Sequence, residues 1–209
     1  MLMNIFQAMS GGPFGSTKYQ LVQVHGHWGH SNNTHGSEHT INGRSYPSEM
    51  HFVHFNCHKY KDPVEASYHP DGLAVVAVFL KCSPKPPRNA NMQKLIDDLN
   101  LIDYDDHDVP LDFVLQPQDL YPKTASERYM TYLGSLTTPP LSECVIWIVA
   151  AEPLEVTQDQ LSHFHEIHRA KDGQLIERNF RPTQPINDRT VWASFPDYKT
   201  IGDYVPFDS

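Results

Sequence analysis

The stretch GLAVVAVFLK, residues 72–81, is apolar at every position before its closing lysine. Successive side chains of a strand point to opposite faces, so such a run has to be covered on both sides. It belongs at the centre of a sheet, and the middle of ECVIWIVAAEP (143–153) has the same character. Two other segments alternate. Residues 19–28 read as a strand with Tyr19, Leu21, Gln23, His25 and His27 on one face. Residues 48–56 read as a second, with Glu49, His51, Val53 and Phe55 sharing a face. Two helices are expected. Asn91–Leu99 carries Met92, Leu95, Ile96 and Leu99 at helical spacing. Thr157–Arg169 opens on a threonine cap, with Leu161, Phe164 and His168 on one stripe. Seventeen prolines favour short elements and loops, the longest over 30–47, 104–128 and 171–189.

A chain of 209 residues with 39% hydrophobic and 11% aromatic content can bury a sizeable single core. The net charge of −9 and the lack of any basic run argue against a nucleic-acid partner. The longest apolar run is far short of the roughly 20 residues needed to span a bilayer, so no membrane partner is expected. The opening MLMNIFQAMS lacks the basic and apolar regions of a signal peptide. Cys57, Cys82 and Cys144 are widely spaced and odd in number, which points to free thiols in a reducing compartment.

Histidine is the outlier, at 13 residues. His25 and His27, two apart on a strand, point the same way with about 6.6 Å between them along the chain. Both can lean onto one ion at about 2.0–2.1 Å, and His51 on a neighbouring strand can complete a three-nitrogen site with an open fourth position. Three neutral ligands leave the charge of the ion intact, which lowers the pKa of a bound water to about 7. A pair of this spacing is, by itself, more often a half-exposed polar face. Nearby acids shift the balance: Glu38 and Glu49 are both candidates, and Glu49, two residues before His51 on its face, can hold that ring. His39, His54, His58, His163, His165 and His168 read as ordinary packed or solvated residues.

The blocks HGHWG (25–29), GSEHT (36–40), EMHFVHFN (49–56), DGLAVVAVFLK (71–81), YLGSLTTPPLSECVIWIV (132–149) and NFRPTQPINDR (179–189) resemble the α-class carbonic anhydrases, in order and spacing. The resemblance implies an α+β, β-rich fold: one domain around a large, mostly antiparallel twisted sheet with short peripheral helices. It implies reversible hydration of carbon dioxide to bicarbonate and a proton, through hydroxide on a zinc cofactor. His25, His27 and His51 match the zinc ligands. Thr137 matches the threonine that accepts a hydrogen bond from the hydroxide, and Glu38 the acid that takes up that threonine's proton. Gln23, Glu49 and the carbonyl of Asn179 match the groups that hold the ligand rings. Val53, Val75, Leu136, Val145 and Trp147 match the apolar wall for carbon dioxide, with Thr138 at the cavity edge. A carbon dioxide molecule has no charge and no net dipole, so an apolar wall suits it.

The chain departs from the family at its start. It enters the pattern near Gly11, so residues 1–10 read as a segment outside the family and 11–209 as the catalytic domain, N-terminally truncated. By the resemblance, a proton-shuttling histidine, polar residues that order water and two edge strands go missing. The strand carrying His25 and His27 is then expected to present a long open edge. His30 and His35 read as loop residues, and Gly26 stands where a bulky residue is common. Leu141 replaces a cysteine usual in secreted relatives, which favours the cytoplasm. The competing readings are a non-catalytic binding module of the same family and an incomplete fragment.

Overall fold

The computed structural model describes residues 8–30, 35–83, 89–99, 116–167, 172–196 and 204–206. The strands are β1 (Ala8–Met9), β2 (Tyr19–Trp28), β3 (Ser48–Phe55), β4 (Leu73–Cys82), β5 (Tyr129–Gly134), β6 (Val145–Ala150), β7 (Leu154–Val156), β8 (Val191–Ala193) and β9 (Tyr204–Pro206). The helices are α1 (Pro63–Ala66), α2 (Ala90–Leu99) and α3 (Gln158–Ser162). The strands form one sheet in the order β1-β2-β3-β4-β6-β5-β8-β9, with β7 also paired to β4. Five of its eight pairings are antiparallel; β4 pairs β6 and β7, and β8 pairs β9, in parallel. The chain is thus a β-rich single domain with few short helices, as expected.

Strand β4 is buried at every position from Leu73 to Leu80. Its alternate residues feed two cores. Ala74, Val76, Val78 and Leu80 join Met50, Phe52 and the apolar stripes of α2 and α3. Val75, Ala77 and Phe79 join Phe55, Val145, Trp147 and Val149 on the other face. Each fully buried aliphatic or aromatic side chain contributes about 1.5–3 kcal/mol, so β4 and its neighbour β3 form the stiff centre that positions the histidines.

Strand β2 differs from its expected alternation. Its pairing with β3 changes register between Leu21 and Gln23, leaving Val22 exposed at 41%. One inserted residue exchanges the faces on either side of a bulge. Tyr19 and Leu21 therefore pack into the core beneath α2 and α3, and they do not share the face of His25 and His27. Gly26 lies on that helix-side face, where an added Cβ would meet Met50 Sδ at 3.2 Å and Phe164 Cε1 at 3.3 Å. A bulky residue there would displace the α3 region.

The open edge is also shorter than expected. β1 covers Tyr19 and Gln20. At the other end Asn179 closes the strand: its N–H donates to the Trp28 carbonyl (3.1 Å), its Nδ2 donates to the Gly26 carbonyl (3.0 Å), and its Oδ1 accepts from the Trp28 N–H (2.7 Å). Among the described residues, Leu21 to His25 have no outer partner strand or loop.

Helix α2 matches its expected span and is capped by Asn89, whose Oδ1 accepts from Asn91 and Met92 (both 3.0 Å). The second helix is shorter than its pattern suggested. Thr157 caps it in a capping box with Gln160, but α3 ends at Ser162 and continues as a 3-10 turn to Glu166. One local bond and one longer-range bond explain the stop. Ser162 Oγ donates back to the Asp159 carbonyl (2.7 Å), and extended Ile167 accepts from the Ile176 N–H (2.9 Å). His168 and residues 104–115 of the long loop fall outside the described residues.

Candidate metal centre

The three histidines foreseen as ligands converge. His25 and His51 are register partners across β2 and β3, and His27 lies opposite Glu49. The ring centroids are 5.1 Å (His25–His27), 5.2 Å (His25–His51) and 4.6 Å (His27–His51) apart. One nitrogen from each lies within 4.8 Å of the other two. The opposite nitrogen of every ring has a protein partner. His25 Nδ1 faces Gln23 Oε1 at 3.1 Å, His27 Nδ1 faces the Asn179 carbonyl at 3.1 Å, and His51 Nε2 faces Glu49 Oε1 at 2.7 Å. This leaves His25 Nε2, His27 Nε2 and His51 Nδ1 turned to a common point. Fixing a ring through its remote nitrogen is how proteins orient metal-binding imidazoles.

Two observations test the fit of a cation. His27 Nε2 is buried and has no hydrogen-bond partner, an orphan of the kind a metal bond satisfies. Two of the rings, His25 and His27, are also pushed toward the neutral form. Burial, with His51 and His27 beside it, pushes His25 down to about 2. Burial and then His51 lower His27 as well. A neutral imidazole is the form that binds a metal, and three nitrogen donors suit zinc.

Glu49 is the buttress. Its side chain is fully buried, yet four donors reach it: the N–H groups of Glu38 (3.0 Å) and His39 (2.8 Å) at Oε2, and His39 Nδ1 (2.6 Å) and His51 Nε2 (2.7 Å) at Oε1. Burial alone would raise its pKa; the His39 charge and the bonds from His39 and His51 outweigh that and hold it well below the usual carboxylate range. Burial likewise opposes charging His39, but the Glu49 charge and hydrogen bond raise it. His39 Nε2 is 2.7 Å from the Tyr132 hydroxyl. His39, read from sequence as ordinary, is thus part of the support behind His51. Its partner Tyr132 lies 93 residues away, so no local spacing could reveal it.

The apolar residues gather beside this centre. Val75, Val145 and Trp147 are buried in the core on the histidine face, with Val53 and Leu136 packed against it. Thr137 and Thr138 sit in the β5–β6 connection, which folds on itself through Leu136 N–H to Ser142 (2.9 Å) and Leu141 N–H to Thr138 (2.9 Å). Thr138 is exposed. Glu38 Oε1 lies 3.4 Å from His27 Nδ1 and accepts from the Arg181 N–H at 2.7 Å. Glu38 Oε2 is buried without a partner, so the anticipated bond from Thr137 is not formed here. Arg181 was not foreseen. His30 Nδ1 lies 3.6 Å from Glu177 Oε2.

A mixed sheet that turns three buried, oriented imidazoles from adjacent strands toward one point defines a β-rich protein with a histidine cluster able to hold a metal ion. Residues 3–195 match the eukaryotic-type carbonic anhydrase family. The chain is 44% identical to mouse carbonic anhydrase 7 over 190 residues, 90% of this chain and 69% of that protein. It is 43% identical to human carbonic anhydrase 5A, mitochondrial, over 190 residues, covering 60% of that protein. The chain belongs to the eukaryotic-type carbonic anhydrase family.

Proposed function

We propose that this chain catalyses the reversible hydration of carbon dioxide with zinc held by His25, His27 and His51. The observation that carries this reading is the buried, unpartnered Nε2 of His27 at the meeting point of three oriented rings. When bound there, zinc supplies the Lewis acidity that brings the pKa of a water near 7. Gln23, Asn179 and Glu49 fix the rings, so the nitrogen donors are placed before the cation arrives. Val53, Val75, Leu136, Val145 and Trp147 offer an apolar wall against which an uncharged substrate rests while water is excluded. Thr137 orients the attacking water through its hydroxyl once that hydroxyl turns to give its proton to Oε2 of Glu38, which has no partner in this conformation. Thr138 borders the cavity where bicarbonate leaves. The thiols of Cys57, Cys82 and Cys144 are all free, in keeping with a reducing, cytoplasmic setting, and no helix among the described residues is long and apolar enough to cross a membrane.

Metal analysis of the purified chain, followed by a hydration assay with and without imidazole as an external proton carrier, tests the reading. One zinc per chain and imidazole-enhanced hydration are expected. Stoichiometric zinc with no hydration at any imidazole concentration would instead assign the chain as a binding module.

A further inference from the structure

A cavity of about 470 Å³ opens between the 43–47 segment and the end of β4, within the roughly 300–1,000 Å³ of small-molecule sites. It shares no residue with the three ligand histidines, the groups that hold their rings or the apolar wall beside them. The chain has 25 acidic residues against 16 lysines and arginines. The cavity reverses that balance: Arg44, Lys81 and His35 stand on its walls, and no carboxylate does.

Arg44 is held in place while its charge stays unneutralised. It closes a tight turn in which Asn42 and Gly43 have φ of 54° and 72°. Ile41 and Arg44 exchange both main-chain hydrogen bonds across it (3.0 and 2.9 Å), as a two-residue hairpin does. The guanidinium stands 5.2 Å from the centre of the Tyr46 ring, and that ring is itself stacked on Phe79. Among the described residues Arg44 has no ion-pair partner. Its planar fork of donors is the geometry that takes a phosphate with two parallel bonds. Lys81 lies 3.6 Å from Glu155 Oε1, with both side chains nearly half exposed. A pair that long and that exposed is screened by water, so a stronger anion can replace the carboxylate. Tyr46 and Pro47 add apolar surface to the same wall.

We propose that this cavity binds a small organic phosphate, with the phosphate taken by Arg44 and Lys81 and the organic part laid against Tyr46 and Pro47. The zinc-loaded full chain is titrated calorimetrically with phenyl phosphate and, in parallel, with inorganic phosphate. One phenyl phosphate per chain is expected, with inorganic phosphate weaker and both weakening as salt is raised. Arg44→Gln should weaken phenyl phosphate at least about tenfold, because a charge-assisted bond is lost. Arg44→Lys keeps the charge without the fork and should recover only part of that loss. Glu155→Gln releases Lys81 and should tighten binding. Its effect runs opposite to that of Arg44→Gln, so a general loss of structure cannot mimic the pair. The melting temperature and any hydration activity should be unchanged in all three variants. A phosphate held by the metal instead would survive Arg44→Gln and vanish in His27→Ala. That outcome, no saturable binding, equal affinity for the two phosphates, or affinity unmoved by Glu155→Gln would overturn the proposal.

Discussion

Asn179 serves the metal centre with both its side chain and its main chain. Its amide side chain ties Gly26 and Trp28 while its carbonyl faces the His27 ring. Replacing it by alanine keeps the carbonyl but frees the strand edge that the carbonyl has to meet. Asn179→Ala is expected to raise the zinc dissociation constant about 10–100-fold, the range found when outer partners of a ligand are removed. Competition against a chromophoric chelator measures it, and an unchanged constant would remove Asn179 from the support of the site. His54 makes a different prediction. It is 3% exposed, with Nδ1 2.8 Å from the Phe52 carbonyl, and burial pushes it down from 6.5 to about 4. Between these values the unfolded chain binds a proton that the folded chain does not. Stability from this residue is therefore complete above pH 6.5 and is lost as pH falls toward 4. At 1.36 kcal/mol per pH unit, the loss is about 3 kcal/mol. Urea denaturation of the wild type and His54→Gln between pH 4.5 and 7 should show a flatter slope in the variant.

Between β2 and β3 the chain returns through a tight passage that depends on two glycines. An added Cβ at Gly36 would stand 1.9 Å from the Pro47 carbonyl oxygen and 2.3 Å from Gly29 N; at Gly29 it would stand 1.7 Å from the His35 carbonyl oxygen. These are backbone atoms and cannot step aside. Gly36→Ala is expected to destabilise the domain by about 1–3 kcal/mol or more, read as a lower denaturation midpoint with the slope unchanged. It should also weaken metal binding, since Glu38 and His39, two and three residues on, bond Glu49 through their N–H groups. The same elements show what a sequence conveys. The period of two in a strand made His25, His27, His51 and Glu49 legible as one constellation, and the unbroken apolar run of β4 placed it at the centre. The bulge at Val22 was not legible, because an inserted residue leaves no mark on composition. The early end of α3 depends on the Ile167–Ile176 bond, and the place of His39 on a tyrosine 93 residues away. Both are tertiary facts. Asn179, 152 residues from His27, was accessible only through family resemblance.

Across the whole molecule, stability is distributed unevenly over the sheet. β3, β4 and β6 are central, whereas β2 has β3 on one side and partial cover on the other. A cation held by His25 and His27 from β2 and His51 from β3 would stitch the less supported strand to the buried one. Because the folded chain gathers these ligands and the unfolded chain does not, metal binding should appear as folding free energy. Zinc at 100 times its dissociation constant should add about 2.7 kcal/mol, which in a domain of this size raises the melting temperature by about 5–10 °C. His27→Ala should abolish that response. Hydrogen exchange locates the gain: zinc should slow β2 amides most, and those of β8 little, since β8 joins the sheet through β5 at the far side. A zinc-induced shift that persists in His27→Ala, or protection spread evenly over all strands, would mean that the cation stabilises the protein from somewhere other than these three imidazoles.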